Sequence, residues 1–152
     1  MSIHTLSFTA NTLTPLPRGL REQAREMSWD DFLAAYGHTA GPLELIGWEC
    51  TDTSRRFGPQ VRSFAATVRH ADGLAVWSAT ATGSIAALTD MLYQRGFGLE
   101  MLNFHQLQMG RDIVTFIRGT DGTRDEWAMA WAEDGTQSAL RAVIACANRL
   151  AR

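Results

Sequence analysis

Apolar and polar positions alternate along Leu43-Glu44-Leu45-Ile46-Gly47-Trp48, and the pattern returns as Leu99-Glu100-Met101-Leu102-Asn103-Phe104. A period of two marks a strand with one buried face. Each copy continues with a second strand-like run, an Asp-Gly turn (Asp72-Gly73, Asp121-Gly122), a third run and a small-residue start to a helix. The helix starts are also alike, Gly83-Ser84-Ile85-Ala86-Ala87-Leu88 returning as Gly135-Thr136-Gln137-Ser138-Ala139-Leu140. The pattern predicts strands over residues 43–52, 61–69 and 74–81, then a helix over 84–95 closed by Gly96. It predicts strands again over 99–109, 113–118 and 126–132, then a helix over 136–150. Ile85, Leu88, Met91 and Leu92 recur at the spacing of one helix face, as do Leu140, Val143, Ile144 and Ala147.

The expected fold is α+β, two pseudo-symmetric β-β-β-α units over residues 43–96 and 97–152 with both helices on one side of the sheets. A seam between two like halves is a natural place for a small ligand. The copies differ in length: Gly73 to Gly83 spans ten positions and Gly122 to Gly135 thirteen, so the second hairpin is expected to carry a longer arm or a bulge. Ahead of the units, residues 1–17 are Thr-rich with Pro15 and Pro17, which suits an extended or disordered arm. Residues 18–42 read as a small helical linker element, with Ser28 and Asp31 as a capping-box-like start for a helix carrying Trp29, Phe32, Leu33 and Tyr36.

Composition narrows the function classes. The 152 residues are 45% apolar and 20% charged, with a formal net charge of -2, which describes a globular domain large enough to bury a core. That balance disfavours a nucleic-acid reader. All 14 positive side chains are Arg, which removes Schiff-base and P-loop lysines. Cys50 and Cys146 lie far apart and outside any Cys-x-x-Cys pair, so both are expected as buried thiols. His4, His38, His70 and His105 show no metal-ligand spacing, and neither a metal nor a cofactor is expected. No stretch approaches the roughly 20 apolar residues of a membrane span, and the N-terminus lacks a basic start followed by an apolar core. A cytoplasmic protein without membrane contact is the expectation.

The two helix starts carry the strongest site signal. Ala79-Thr80-Ala81-Thr82-Gly83-Ser84 leads into a helix N-terminus, where free amides and the helix dipole favour an anion such as a carboxylate. Its counterpart runs from Ala128 to Thr136 through Ala130 and the acidic pair Glu133 and Asp134, which can hold an ammonium group. Together the two suit a zwitterion. The plainer alternative is that Ser84 and Thr136 only cap their helices. Glu49 and His105 hold equivalent positions in the two repeats and form a candidate acid-base pair, with Glu133 and Asp134 as further catalytic candidates. The alternative for Glu49 and His105 is a solvated strand face. Trp48, Trp77, Trp127 and Trp131 fall on predicted strands, as core or seam.

The order of these motifs, the Leu-Arg-Ala-Val-Ile-Ala-Cys-Ala-Asn-Arg ending from Leu140 to Arg149 and the Ser28-Trp29-Asp30-Asp31-Phe32 helix resemble the C-terminal allosteric and dimerisation domain of 2-isopropylmalate synthase. The resemblance covers residues 18–151. It implies two β-β-β-α units, a homodimer, and leucine bound between the units as feedback inhibitor. With the helix starts, it points to Ala79, Ala81, Thr82, Gly83, Ser84, Asn103, Phe104, Ala130, Glu133, Asp134 and Thr136 as ligand-binding positions. The family's catalytic part, a metal-dependent (β/α)8 barrel of about 250 residues, has no counterpart here. Where the family has glycines at its helix starts, this chain has Ala79, Ala81, Ala128 and Ala130, and where it has Asp-Tyr, this chain has Asn103-Phe104. Added methyl groups narrow the space beside the backbone, so leucine is expected to bind weakly or not at all.

The expected function is a stand-alone regulatory domain that binds an amino-acid-like or 2-oxo-acid-like metabolite between its units. Its expected partners are a second copy of itself and a separate catalytic barrel subunit, in leucine biosynthesis. The alternative is a small-molecule enzyme, an acid-base isomerase or cyclase of secondary metabolism, using the same cleft. A third reading is a dimerisation scaffold with a filled seam.

Overall fold

The structure, a computed structural model, describes Asp31, residues 41–51 and residues 61–151. The expected arm over 1–17, and the helical element over 18–42 apart from Asp31, Gly41 and Pro42, lie outside these residues.

The alternating runs form two antiparallel sheets. Strands β1 (Leu43–Cys50), β2 (Arg62–His70) and β3 (Gly73–Ala81) pair in that order and lead into helix α1 (Ser84–Gln94). Strands β4 (Glu100–Met109), β5 (Asp112–Thr120) and β6 (Asp125–Ala132) repeat the order and lead into α2 (Gly135–Leu150). The fold is α+β, a β-β-β-α unit made twice.

The repetition extends to an irregularity. β1 slips its register on β2 between Leu45 and Gly47, and β4 slips on β5 between Met101 and Asn103. Ile46 and Leu102 are the extra residues, at the same place in each copy, and both side chains are left largely exposed. The extra length of the second copy, by contrast, sits in a turn and not in a longer arm or bulge. His70 pairs with Gly73 across two residues, whereas Thr120 pairs with Asp125 across Asp121 to Arg124. The Asp121 carboxylate holds that loop by accepting from the Thr123 and Arg124 N–H groups, at 2.9 and 3.0 Å. Those two bonds also hold its carboxyl below the usual range.

Each helix covers one face of its own sheet, and the two helices touch. Phe64, Ala66, Val68 and Trp77 of the first sheet and Ile117, Ala128 and Ala130 of the second meet Leu88, Met91, Leu92, Leu140 and Val143 in one core. α2 also packs on β1, and it is buried nearly all round. Asn148 makes that last contact specific. Its side-chain carbonyl accepts from Leu43 N–H and its amide donates to the Leu43 carbonyl, both at 2.9 Å, as a neighbouring strand would. A Cβ on Gly41 would lie 2.5 Å from Asn148 Cβ, so the approach needs a glycine there. Gly119 likewise leaves room for Cys146, whose Sγ would stand 2.8 Å from an added Cβ.

Buried apolar residues also lie on the other face of the second sheet. Val114, Phe116 and Met129 point away from α2 by their register, and they too are fully buried. Cys146 is buried as expected, but Cys50, the last residue of edge strand β1, is exposed. Among the described residues no helix is long and apolar enough to cross a membrane.

Candidate functional site

β3 ends at Ala81 and β6 at Ala132, and both chains turn within two residues into a helix. The two turns differ in chemistry. Asp134 is the N-cap of α2, its carboxylate accepting from Gln137 N–H at 2.9 Å. Gly83 stands in the same place before α1 and supplies no side-chain cap. Neither Ser84 nor Thr136 caps its helix. The structural equivalence therefore runs from Gly83 to Asp134, one residue away from the match of Gly83 with Gly135 that the sequences suggest.

These caps decide which amides remain free. The first helical bond of α1 runs from Ala87 N–H to the Gly83 carbonyl at 3.0 Å, so Ser84, Ile85 and Ala86 have no acceptor within the helix. In α2 the first bond runs from Ser138 N–H to the Asp134 carbonyl at 2.9 Å. With Gln137 N–H taken by the cap, Gly135 and Thr136 are left. A cleft of about 450 Å³ opens between the two helix starts, lined by Thr82, Gly83, Ser84, Ile85, Ala86, Phe104, Gln106, Gly135, Thr136 and Ala139. Its lining contains the free-amide residues of both helices, three hydroxyls, one amide side chain and no charged or titratable side chain.

Gln106 is held in this cleft by a chain of hydrogen bonds. Its Nε2 donates to the Gly135 carbonyl and to Thr115 Oγ1, each at 2.9 Å. Thr115 Oγ1 lies 2.7 Å from Ser138 Oγ, and Ser138 Oγ lies 3.4 Å from the Ala130 carbonyl. With the Ser138 hydrogen on the Ala130 carbonyl, Thr115 is the donor to Ser138. Thr115 and Ser138 are both fully buried, while Gln106 at the head of the chain is exposed.

Of the positions expected to bind a ligand, Thr82, Gly83, Ser84, Phe104 and Thr136 line the cleft. Ala79, Ala81, Asn103, Ala130, Glu133 and Asp134 do not. Ala130 is part of the core, and Ala79 and Ala81 pack against it. Their methyl groups fill space between sheet and helix, so they do not set the volume of this cleft. Asn103 pairs with Arg118 on the face of β4 turned away from α2. Asp134 is committed to its cap, and Glu133 is exposed. Neither forms an ammonium pocket opposite Ser84.

Glu49 and His105 are not brought together. Glu49 pairs with Ala65 on the exposed outer face of the first sheet, and His105 pairs with Phe116 on the outer face of the second. His105 Nε2 is buried there without a hydrogen-bond partner, its ring 6.3 Å from that of Phe116. No group of three His, Cys, Asp or Glu side chains suited to a metal occurs among the described residues. The sequence reading misses Ile85, Ala86, Gln106, Gly135 and Ala139. For Gln106 there is one cue: the helix-facing row Met101, Phe104, Gln106 turns polar level with the helix start. Compared with protein-family models and with curated proteins, the chain matches none.

Proposed function

We propose that this chain is an effector-binding domain whose ligand is a small, partly apolar carboxylate seated between the starts of α1 and α2. One observation carries the reading: the residues with free amides at both helix starts, Ser84, Ile85, Ala86, Gly135 and Thr136, line one cleft that contains no charged side chain. The uncapped start of α1 favours a nearby anion by about 0.3–1 kcal/mol when exposed, whereas the start of α2 already holds the Asp134 carboxylate. Ile85, Phe104 and Ala139 offer an apolar wall for the rest of the molecule. The volume falls within the range of small-molecule sites, about 300–1,000 Å³.

The reading keeps what the resemblance to the regulatory domain of 2-isopropylmalate synthase implies: a cytoplasmic homodimer that acts on a catalytic barrel. Exposed Ile46, Leu102 and Phe104 offer apolar surface to such partners. Acid-base catalysis by Glu49 and His105 gains no support from their placement on separate outer faces.

Calorimetric titration with 4-methylpentanoate tests the carboxylate site alone. Ser84→Pro is the informative variant, because proline is favoured at the first helical position while it deletes one amide and one hydroxyl. Gly83, with φ -162° and ψ 172°, already has the extended backbone that a following proline requires. The expected result is saturable binding that the variant weakens by about 1 kcal/mol or more. Absence of binding, or indifference to the variant, contradicts the proposal.

A further inference from the structure

We infer that the outer face of the second sheet, the one turned away from α2, is the docking surface for this chain's own segment ahead of Gly41, which lays Trp29, Phe32, Leu33 and Tyr36 on it. This face lies across the sheet from the carboxylate cleft and is independent of it.

The face is covered, and no described element covers it. Val114, Phe116 and Met129 are 0% exposed and Trp127 is 8% exposed, and register places all four side chains on this face. Among the described elements only α2 packs extensively on β5 and β6 besides the neighbouring strands, and it packs on the opposite face. His105 Nε2 is shut off from solvent on the same outer face. The sequence of the face is also suited to cover. Aligned on their bulges, the two units put Ser63, Ala65, Ser78 and Thr80 in the first where the second has Val114, Phe116, Met129 and Trp131. None of the four first-unit residues is fully buried. Large apolar side chains have replaced small and polar ones on one outer face alone.

The place where the chain enters the fold selects the occupant. Gly41 sits against Asn148 in the last turns of α2, and Arg149 beside it pairs with Glu126 at the start of β6. The segment ahead of Gly41 therefore leaves from beside the second sheet. Residues 52–60, by contrast, are tied at both ends to the first sheet, where Thr51 N–H donates to the Ser63 carbonyl at 2.8 Å. Within the leading segment Asp31 is helical and exposed. Trp29 and Leu33 each stand about 200° round a helix from Asp31, so an exposed Asp31 turns the apolar face inward. A helix over 28–36 is well short of the about 12–15 residues at which an isolated helix is even marginal in water, so it needs a surface to lie on. Its length of about 13 Å matches the run from Trp127 to Trp131, also about 13 Å.

The test is paramagnetic NMR on the full chain. Cys50→Ser removes the exposed thiol while Cys146 stays buried, so a nitroxide attaches only at Ala34→Cys, on the same side of the helix as Asp31. The amides of Val114, Phe116, Met129 and Trp131 are expected to lose most of their intensity, while those of Leu74 to Ser78 on the first sheet keep theirs. A mixture of nitroxide-bearing chain and isotope-labelled chain without nitroxide should show no loss, because the contact lies within one chain. Adding Phe32→Ser to the nitroxide-bearing, isotope-labelled chain should restore the intensity; where that variant does not fold, the first two measurements decide. Loss in the mixture assigns the face to a second copy and overturns the inference, as does loss confined to the first sheet or no loss at all. Loss that persists in a folded Phe32→Ser chain overturns the assignment of the helix face.

Discussion

Leu43 heads an edge strand, and among the described residues the Asn148 side chain alone pairs its N–H and C=O on the side away from β2. Both groups are buried, so removing the amide leaves two backbone partners unsatisfied. Asn148→Leu is expected to lower unfolding free energy by about 3 kcal/mol, measured by urea denaturation. A loss below about 0.5 kcal/mol, the scale of a surface change, would mean that the clamp does not join α2 to the first unit. Cys146 offers a second test. Burial pushes its thiol from 9.0 up to about 12. Its folded pKa is the higher one, so the stability it contributes is intact below pH 9 and is lost as pH rises toward 12. Wild type should lose about 2 kcal/mol more than Cys146→Ala between about pH 8.5 and 10.5. Equal pH profiles for the two would show that the thiol is not held in a dry site.

Elements were legible in this sequence where period alone defines them. The alternation in Leu43 to Trp48 and Leu99 to Phe104 locates β1 and β4 and even aligns their bulges at Ile46 and Leu102. Helix faces follow from Leu88, Met91, Leu140 and Val143 for the same reason. Caps and turns were less legible, because they depend on one hydrogen bond rather than on a repeating pattern. Asp134 takes the cap that Thr136 was expected to supply, and the Asp121 loop takes up the extra length. The cleft was half legible: Ser84 and Thr136 could be found from the helix starts, whereas Gln106 depends on which β4 residues face α2. At this scale Ser84→Pro gives a control as well as a binding test. Since Ser84 makes no cap, the substitution should change stability by no more than about 0.5 kcal/mol. A larger loss would show that Ser84 supports α1 and would remove the variant as a probe of the ligand.

On the scale of the molecule, duplication creates the cleft and divergence gives it chemistry. Two like units bring two helix starts together, a geometry neither unit has by itself. One start is left without a side-chain cap at Gly83, while the other is capped by Asp134. β4 then adds Phe104 and Gln106, where the equivalent positions of β1 are Trp48 and Cys50. The outcome is an uncharged, amide-lined cleft on a rigid core. The most direct test of that account is a two-dimensional nitrogen–proton NMR titration with 4-methylpentanoate. The account predicts saturable shifts largest at the amides of Ser84, Ile85, Ala86, Gly135 and Thr136 and at the Gln106 side chain. Shifts centred elsewhere, such as the outer face around His105, or no shifts at millimolar ligand, would contradict it.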